Sequence, residues 1–218
     1  MKVTTDACLF GALVAATKLK KQHCLDIGTG TGLLSLMLAQ KNHGAKIDAL
    51  EIEEAAAAQA QENIAASPWA DHITVFHKDA LAFAAGNAYD CIISNPPFFE
   101  DDLLSPDKAK NNARHNSSLS LTQLLQIVDT QLSAEGFFAV LLPYQRVQYF
   151  IDEAIRKGLY LSRQILVKQT FKHKFFRGIL FFKRVEKKLM SSEIIIKDPE
   201  HNYTPEFTAA LKDYYLFL

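Results

Sequence analysis

From His23 onward the chain alternates two kinds of apolar pattern. Short apolar runs, "HCLDI", "AKIDALE", "HITVFHKD" and "YDCIISN", read as buried strands. Between them lie segments with helical spacing. "GLLSLMLAQK" follows the first run, and the alanine-rich "EEAAAAQAQENIAAS", built from a strong helix former, stops before Pro68. "SLTQLLQIVDTQL" is an amphipathic helix, after which Gly136 opens a fifth run, "FFAVLLP". A helix around Val147–Lys157 precedes "YLSRQILVKQ" and "FFRGILFFKRV", which read as an antiparallel ladder. Ahead of all this, "TTDACLFGALVAATK" reads as a leading helix with Thr5 or Asp6 near its N-cap.

Strands alternating with helices predict an α/β fold of Rossmann-like type. Seven runs give a seven-stranded mixed sheet with one antiparallel strand and helices on both faces. No repeat or low-complexity linker divides the chain, so one domain is expected over 1–218. Residues 1–20 form its leading helix, and 158–218 its antiparallel strands and tail.

Composition narrows the class. Hydrophobic content of 49% and charged content of 22% are ordinary for a globular protein, and the formal net charge is zero. No run approaches the ~18 apolar residues of a membrane-spanning helix. Cys8, Cys24 and Cys91 are odd in number, far apart and set in apolar runs. They read as reduced core residues, not a disulfide framework. The seven histidines lack ligand spacing, so no metal is expected. A cytoplasmic monomer is the expectation.

The neutral total hides an asymmetry. Between residues 44 and 107, twelve acids face two bases, Lys46 and Lys78. Between 143 and 190, twelve bases face three acids, Asp152, Glu153 and Glu186. The basic segment is either a solvated surface or a contact for a polyanion.

The first chemical signal is "LDIGTGTG", between the first strand and the first helix. In such sheets ligands bind at the carboxyl ends of the strands. Gly28, Gly30 and Gly32 allow a tight turn and close approach of the backbone to a ligand. Glu51, closing the second strand, is placed to accept from both hydroxyls of a ribose, which fits NAD or S-adenosylmethionine. The dinucleotide fingerprint is G-x-G-x-x-G with a pyrophosphate at the helix N-terminus. Here the spacing is G-x-G-x-G, and Asp26 precedes it with a charge suited to a cationic amino-acid group. S-adenosylmethionine is the better match. Asp79, after the third strand, is placed either for an adenine amino group or to cap a helix starting "ALAF".

The second signal is "DCIISNPPFFEDD". Two prolines cannot continue a sheet ladder. The strand therefore delivers Asn95, Pro96, Pro97 and Phe98 to the edge that carries the glycine loop. The Asn95 side-chain oxygen and the Pro96 carbonyl can converge on one amino group, and Phe98 offers a flat face to a planar substrate. An exocyclic amine is a poor nucleophile because its lone pair is delocalised. Two acceptors on its hydrogens favour a tetrahedral nitrogen that can attack a sulfonium methyl in line, with no strong base.

Asn-Pro-Pro-Tyr/Phe sequences resemble those of class I methyltransferases acting on planar amino or amide nitrogens. The order "TTDA…LDIGTGTG…LEIEEAAAAQAQENIAASPWA…HKDA…ISNPPFF…ARHNSSLSL", with the ending "NYTPEFTAALKDYYLFL", is similar throughout to the bacterial family that methylates N6 of adenine 37 in a valine tRNA. The resemblance implies that Thr5 and Asp6 lie over the cofactor. It places Asp26, Gly28, Thr29 and Gly30 in the cofactor loop, Glu51 and Ile52 at the ribose and adenine, and Asp79 and Ala80 at the adenine. Asn95, Pro96, Pro97 and Phe98 become the catalytic loop, and Arg114 and His115 a substrate-facing loop. Family members carry an aromatic and basic stretch ahead of the segment at Met1, a departure that bears on RNA affinity.

Of the basic segment, Lys172, Lys174 and Arg177, at the turn between the last two strands, are assigned to RNA. Phe181 and Phe182 are assigned to the core. Other functions stay open at this point: methylation of a protein glutamine amide, DNA adenine methylation, or a non-catalytic RNA-binding scaffold.

Overall fold

The computed structural model describes residues 3–17, 23–84, 88–97 and 119–217. The strands are β1 (His23–Ile27), β2 (Lys46–Glu51), β3 (Ile73–His77), β4 (Tyr89–Ser94), β5 (Leu132–Pro143), β6 (Tyr160–Thr170), β7 (Phe175–Lys183) and β8 (Met190–Lys197). The helices are α1 (Thr5–Ala15), α2 (Leu33–Lys41), α3 (Glu54–Ala65), α4 (Leu121–Gln131), α5 (Tyr144–Arg156) and α6 (Pro205–Leu211).

The strands form one sheet in the order β3-β2-β1-β4-β5-β7-β6-β8. β7 pairs antiparallel with both β5 and β6, and every other pairing is parallel. The single reversed strand is as the sequence predicts; the count is eight, not seven. β8 escaped the pattern because its first four residues, Met190–Glu193, are exposed at the sheet edge, and its apolar run is confined to Ile194–Ile196.

β5 shows how the two cores form. Its Phe137, Ala139 and Leu141 join a cluster with Leu9, Phe10, Met37 and Leu38 of α1 and α2. The alternate residues Phe138, Val140 and Leu142 join Leu124, Val128 and Phe150 of α4 and α5 on the other face. A period of two thus buries both sides of one strand. Each such Phe or Leu removed from water contributes roughly 2 kcal/mol.

Local chemistry fixes the helix starts. Ser120 Oγ accepts from the Gln123 N–H at 3.2 Å while Gln123 Oε1 accepts from the Ser120 N–H at 2.9 Å, a capping box at α4. At α1 the N-cap is Thr4, so Thr5 and Asp6 lie inside the first turn and not at the cap. At Gly178 an added Cβ would meet Val147 Cγ2 at 2.5 Å, so the missing side chain lets α5 lie directly on β7.

Candidate active site

Two loops leave the sheet side by side. β1 pairs with both β2 and β4, so the chain diverges at the carboxyl end of β1, where a crevice opens in such sheets. Ile27 and Ser94 are register partners, and Ser94 Oγ donates to the Ile27 carbonyl at 2.8 Å. This bond locks the end of β4 to the start of the glycine loop.

The loop itself is held by β2. The Gly28 and Thr29 N–H groups both donate to the Leu50 carbonyl at 2.9 Å. Gly28, Gly30 and Gly32 have φ of 74°, 58° and 84°, a region that residues with a Cβ rarely adopt. A Cβ on Gly28 would meet nothing within 4 Å, so that face of the loop is open. Glu51 is buried and secured at both oxygens: Oε2 accepts from the Gly30 N–H at 2.8 Å and Oε1 from the Glu53 N–H at 2.9 Å.

Asp26 lies fully buried beneath the loop. Its Oδ2 accepts from Thr29 Oγ1 and Ser35 Oγ, each at 2.7 Å, while Oδ1 has no hydrogen-bond partner among the described residues. Burial pushes its carboxyl up to about 6; the two hydroxyls oppose that rise and the neighbouring Glu51 charge adds to it. A buried carboxylate with one bare oxygen is incomplete by itself.

Asn95 follows β4 directly. It is half-buried, yet its Oδ1 is buried without a hydrogen-bond partner among the described residues. Pro96 is buried and Pro97 exposed. Two unsatisfied buried oxygens, Asp26 Oδ1 in β1 and Asn95 Oδ1 just past its neighbour β4, therefore lie at the same edge.

The remaining assigned residues fall as follows. Ile52 stands beside Glu51 and is 49% exposed, an apolar side chain at the rim. Asp79 is exposed and its Oδ1 accepts from the Leu81 N–H at 2.9 Å. That bond closes a turn rather than capping a helix, and Ala80 in the turn is half-buried. Asp6 accepts from Arg177 Nε at 2.7 Å. Burial works to raise the Asp6 carboxyl, but bonds from Thr4 and Arg177 and the guanidinium charge hold it below its ordinary value.

Arg177 is thus corrected in place: it lies within β7, not at the turn, opposite Pro143 and Val167, and its side chain reaches Asp6 of α1. Lys172 and Lys174 are exposed in the β6–β7 turn. Phe98, Arg114 and His115 lie outside the described residues.

Ser35 and Ser94 were missed from sequence. Ser35 had a faint signal, a lone hydroxyl in the apolar start "GLLSLML" of α2. Among the described residues no group of three or more His, Cys, Asp or Glu is arranged for a metal ion, and no helix is long and apolar enough to cross a membrane. Cys8, Cys24 and Cys91 are buried, and none of them is in a disulfide.

Known proteins match this arrangement at several levels. Residues 7–121 match the model of the methyltransferase small domain. A tRNA1(Val) (adenine(37)-N6)-methyltransferase of Dyadobacter fermentans is 40% identical over 223 residues, covering 99% of this chain and 91% of its own length. Proteins of the same name from Photorhabdus laumondii (39% identical, 100% of this chain and 89% of theirs) and Bacteroides fragilis (40%, 99% and 91%) match as fully. Among solved structures, a protein from Agrobacterium tumefaciens assigned as an O-methyltransferase superposes with a TM-score of 0.71 at 17% identity, covering 97% of this chain and 98% of that one. A class I S-adenosylmethionine-dependent methyltransferase fold from Listeria monocytogenes gives 0.64 at 16%, with 98% and 72% covered. At those identities the structures speak for the fold alone, whereas the whole-length sequence matches go further: this chain belongs to the methyltransferase small domain family and, within it, to the tRNA1(Val) (adenine(37)-N6)-methyltransferase family.

Proposed function

We propose that the chain transfers a methyl group from S-adenosylmethionine to N6 of an adenine in tRNA, with adenine 37 of a valine tRNA as the substrate, acting as a cytoplasmic monomer. The observation that carries this reading is the pair of bare buried oxygens, Asp26 Oδ1 and Asn95 Oδ1, at the edge where Ser94 locks β4 to β1.

The residues present fit the cofactor. Asp26 Oδ1 is a buried anionic acceptor in want of a donor, which an ammonium group satisfies. The open face at Gly28 admits close approach of a ligand. Glu51 retains lone pairs beyond the two that bind backbone N–H groups, enough for two ribose hydroxyls. Ile52 supplies an apolar contact for adenine, and Asp79 an acceptor for its amino group, with Ala80 beside it. Thr5 and Asp6 are assigned to the covering segment. When bound, S-adenosylmethionine supplies a methyl group already activated by a positively charged sulfur.

Asn95 then does the protein's part of the chemistry. Its Oδ1, with the Pro96 carbonyl, accepts hydrogen bonds from the target amino group and localises the nitrogen lone pair. Because the acceptor is rigid and partly shielded from water, it favours the developing geometry without reorganising. Pro96 and Pro97 fix φ along the loop and hold that aim. Phe98 is assigned to stacking on the base.

The test is transfer of a labelled methyl group to unmodified tRNA by wild type and by Asn95→Ala. Label in N6-methyladenosine, with kcat at least about 100-fold lower in the variant and cofactor binding retained, supports the reading. Wild type that binds S-adenosylmethionine and labels no tRNA refutes it.

A further inference from the structure

We propose that the protruding end of β5, β7 and β6 is the surface that grips unpaired nucleotides beside the target base, with Tyr144, Phe175 and Phe171 as stacking faces and Lys172 and Lys174 as phosphate contacts. The proposal rests on the reading of the substrate as tRNA.

The sheet register builds this surface. Ser94, Val140, Leu180 and Gln164 lie in one row across β4, β5, β7 and β6. β4 ends there. The other three strands run on together for three residues, to Pro143, Arg177 and Val167, and β6 and β7 continue to Thr170 and Phe175. At ~3.3 Å per residue, a wall roughly 10 Å high stands beside Asn95 and Pro97.

The wall carries aromatic rings and cations where a core strand end needs neither. Tyr144, the first residue of α5, is 40% exposed and packs against Phe175 at 5.3 Å between ring centroids. The close seating of α5 at Gly178 makes that contact. Phe171, at the hairpin tip, is 51% exposed. Lys168 Nζ lies 4.1 Å from the Phe175 centroid while paired with Glu193 at 3.0 Å, so it braces the ring rather than offering a free charge. Lys172 lies 5.5 Å from the Phe171 centroid. Neither Lys172 nor Lys174 pairs with an acid among the described residues.

Exposed rings interleaved with lysines match single-stranded nucleic acid, whose bases stack while its phosphates seek cations. A duplex presents no free base faces, so unpaired loop nucleotides are the partner that this chemistry fits. The sheet also sorts the basic segment. β7 runs backward, so Lys183, Lys187 and Lys188 emerge at the opposite edge, away from Asn95. Lys172 and Lys174, in the turn between β6 and β7, emerge at the same end of the sheet as Asn95.

The test measures tRNA affinity and the KM for tRNA in four variants: Tyr144→Ala, Phe171→Ala, Tyr144→Phe and the double change Lys187→Ala/Lys188→Ala. The two ring deletions are expected to raise both values on the order of 10-fold, with kcat and S-adenosylmethionine affinity unchanged. Tyr144→Phe, which keeps the ring, and the far-edge double variant stay near wild type. Wild type that methylates tRNA while the ring deletions remain within about twofold overturns this surface and leaves the activity standing. An equal loss in the far-edge variant also overturns it. Wild type that neither binds nor methylates tRNA removes both readings together.

Discussion

Arg177 Nε donates to Asp6 Oδ2 at 2.7 Å, joining residues 171 positions apart and tying the first turn of α1 to the exposed end of β7. Both side chains are largely buried, at 26% and 13% exposure. An arginine in a basic segment reads from sequence as a surface cation. Here it is a strut that sets where the leading helix starts relative to the sheet edge.

Arg177→Ala leaves Asp6 without its charged partner. At neutral pH the loss is expected to be about 2 kcal/mol, or roughly 4–8 °C in Tm. Because Asp6 titrates below its ordinary value in the folded protein, its contribution is complete above the unfolded pKa near 3.8. It fades as pH falls through the lower folded value. The gap between wild type and variant therefore narrows below about pH 4. Thermal melts at pH 7 and pH 3.5 check this; a gap equal at both would mean that the charge contributes nothing.

Asp26 works in the opposite sense. Burial raises it to about 6, so the folded protein holds a proton more tightly than the unfolded chain does. Stability is then greatest below the unfolded value and declines as pH rises toward 6, a penalty on the order of 3 kcal/mol at pH 7. Asp26→Asn keeps an acceptor for Thr29 and Ser35 and removes the charge. Its expected signature is a higher Tm at pH 7, no gain at pH 4, and S-adenosylmethionine affinity lowered at least about 10-fold through loss of the ion pair with the amino group. Calorimetric binding and melts on the same samples separate the two effects. A variant both less stable and unchanged in affinity contradicts the assignment.

The legible parts of this protein were those in which one residue type serves one local purpose. The alternating apolar runs, the glycine spacing, the acid closing β2 and the prolines ending β4 all announced themselves. So did the burial of Phe181 and Phe182, which read as core and are core. Partnerships set by register did not. Nothing local distinguishes Arg177, which pairs with Asp6, from Lys172 and Lys174, which stay exposed; only the antiparallel pairing of β7 does. Edge strand β8 was hidden because half of it faces solvent and carries no alternation. Ser94 looks like any strand residue until β1 is laid beside β4.

Gly178 is a packing position that sequence could not flag. A Cβ there would lie 2.5 Å from Val147 Cγ2, so Gly178→Ala forces α5 away from β7. The expected cost is about 1–3 kcal/mol. Because α5 begins at Tyr144, the shift also disturbs the Tyr144–Phe175 contact. Val147→Ala in the same chain makes room and is expected to recover part of the loss. A double-mutant cycle on melting temperature reads the coupling directly; strict additivity would place the clash elsewhere.

Glu51 tests the reading of the cofactor rim. Its two oxygens hold the Gly30 and Glu53 N–H groups, so the side chain both shapes the loop and presents spare lone pairs outward. Glu51→Ala removes both functions. It is expected to lower S-adenosylmethionine affinity about 10- to 100-fold, equal to roughly 1.4–2.8 kcal/mol, and to lower Tm because the buried Gly30 N–H loses its acceptor. Glu51→Gln separates the two. Its carbonyl still accepts from Gly30, but its amide group faces the Glu53 N–H and carries no charge to grip hydroxyls. A smaller loss of stability than in Glu51→Ala, because Gly30 keeps its acceptor while Glu53 loses its own, with affinity reduced, is the result expected of a residue that recognises a ribose. Affinity retained in Glu51→Gln would make Glu51 a scaffold for the loop and move ribose recognition to another group at the rim.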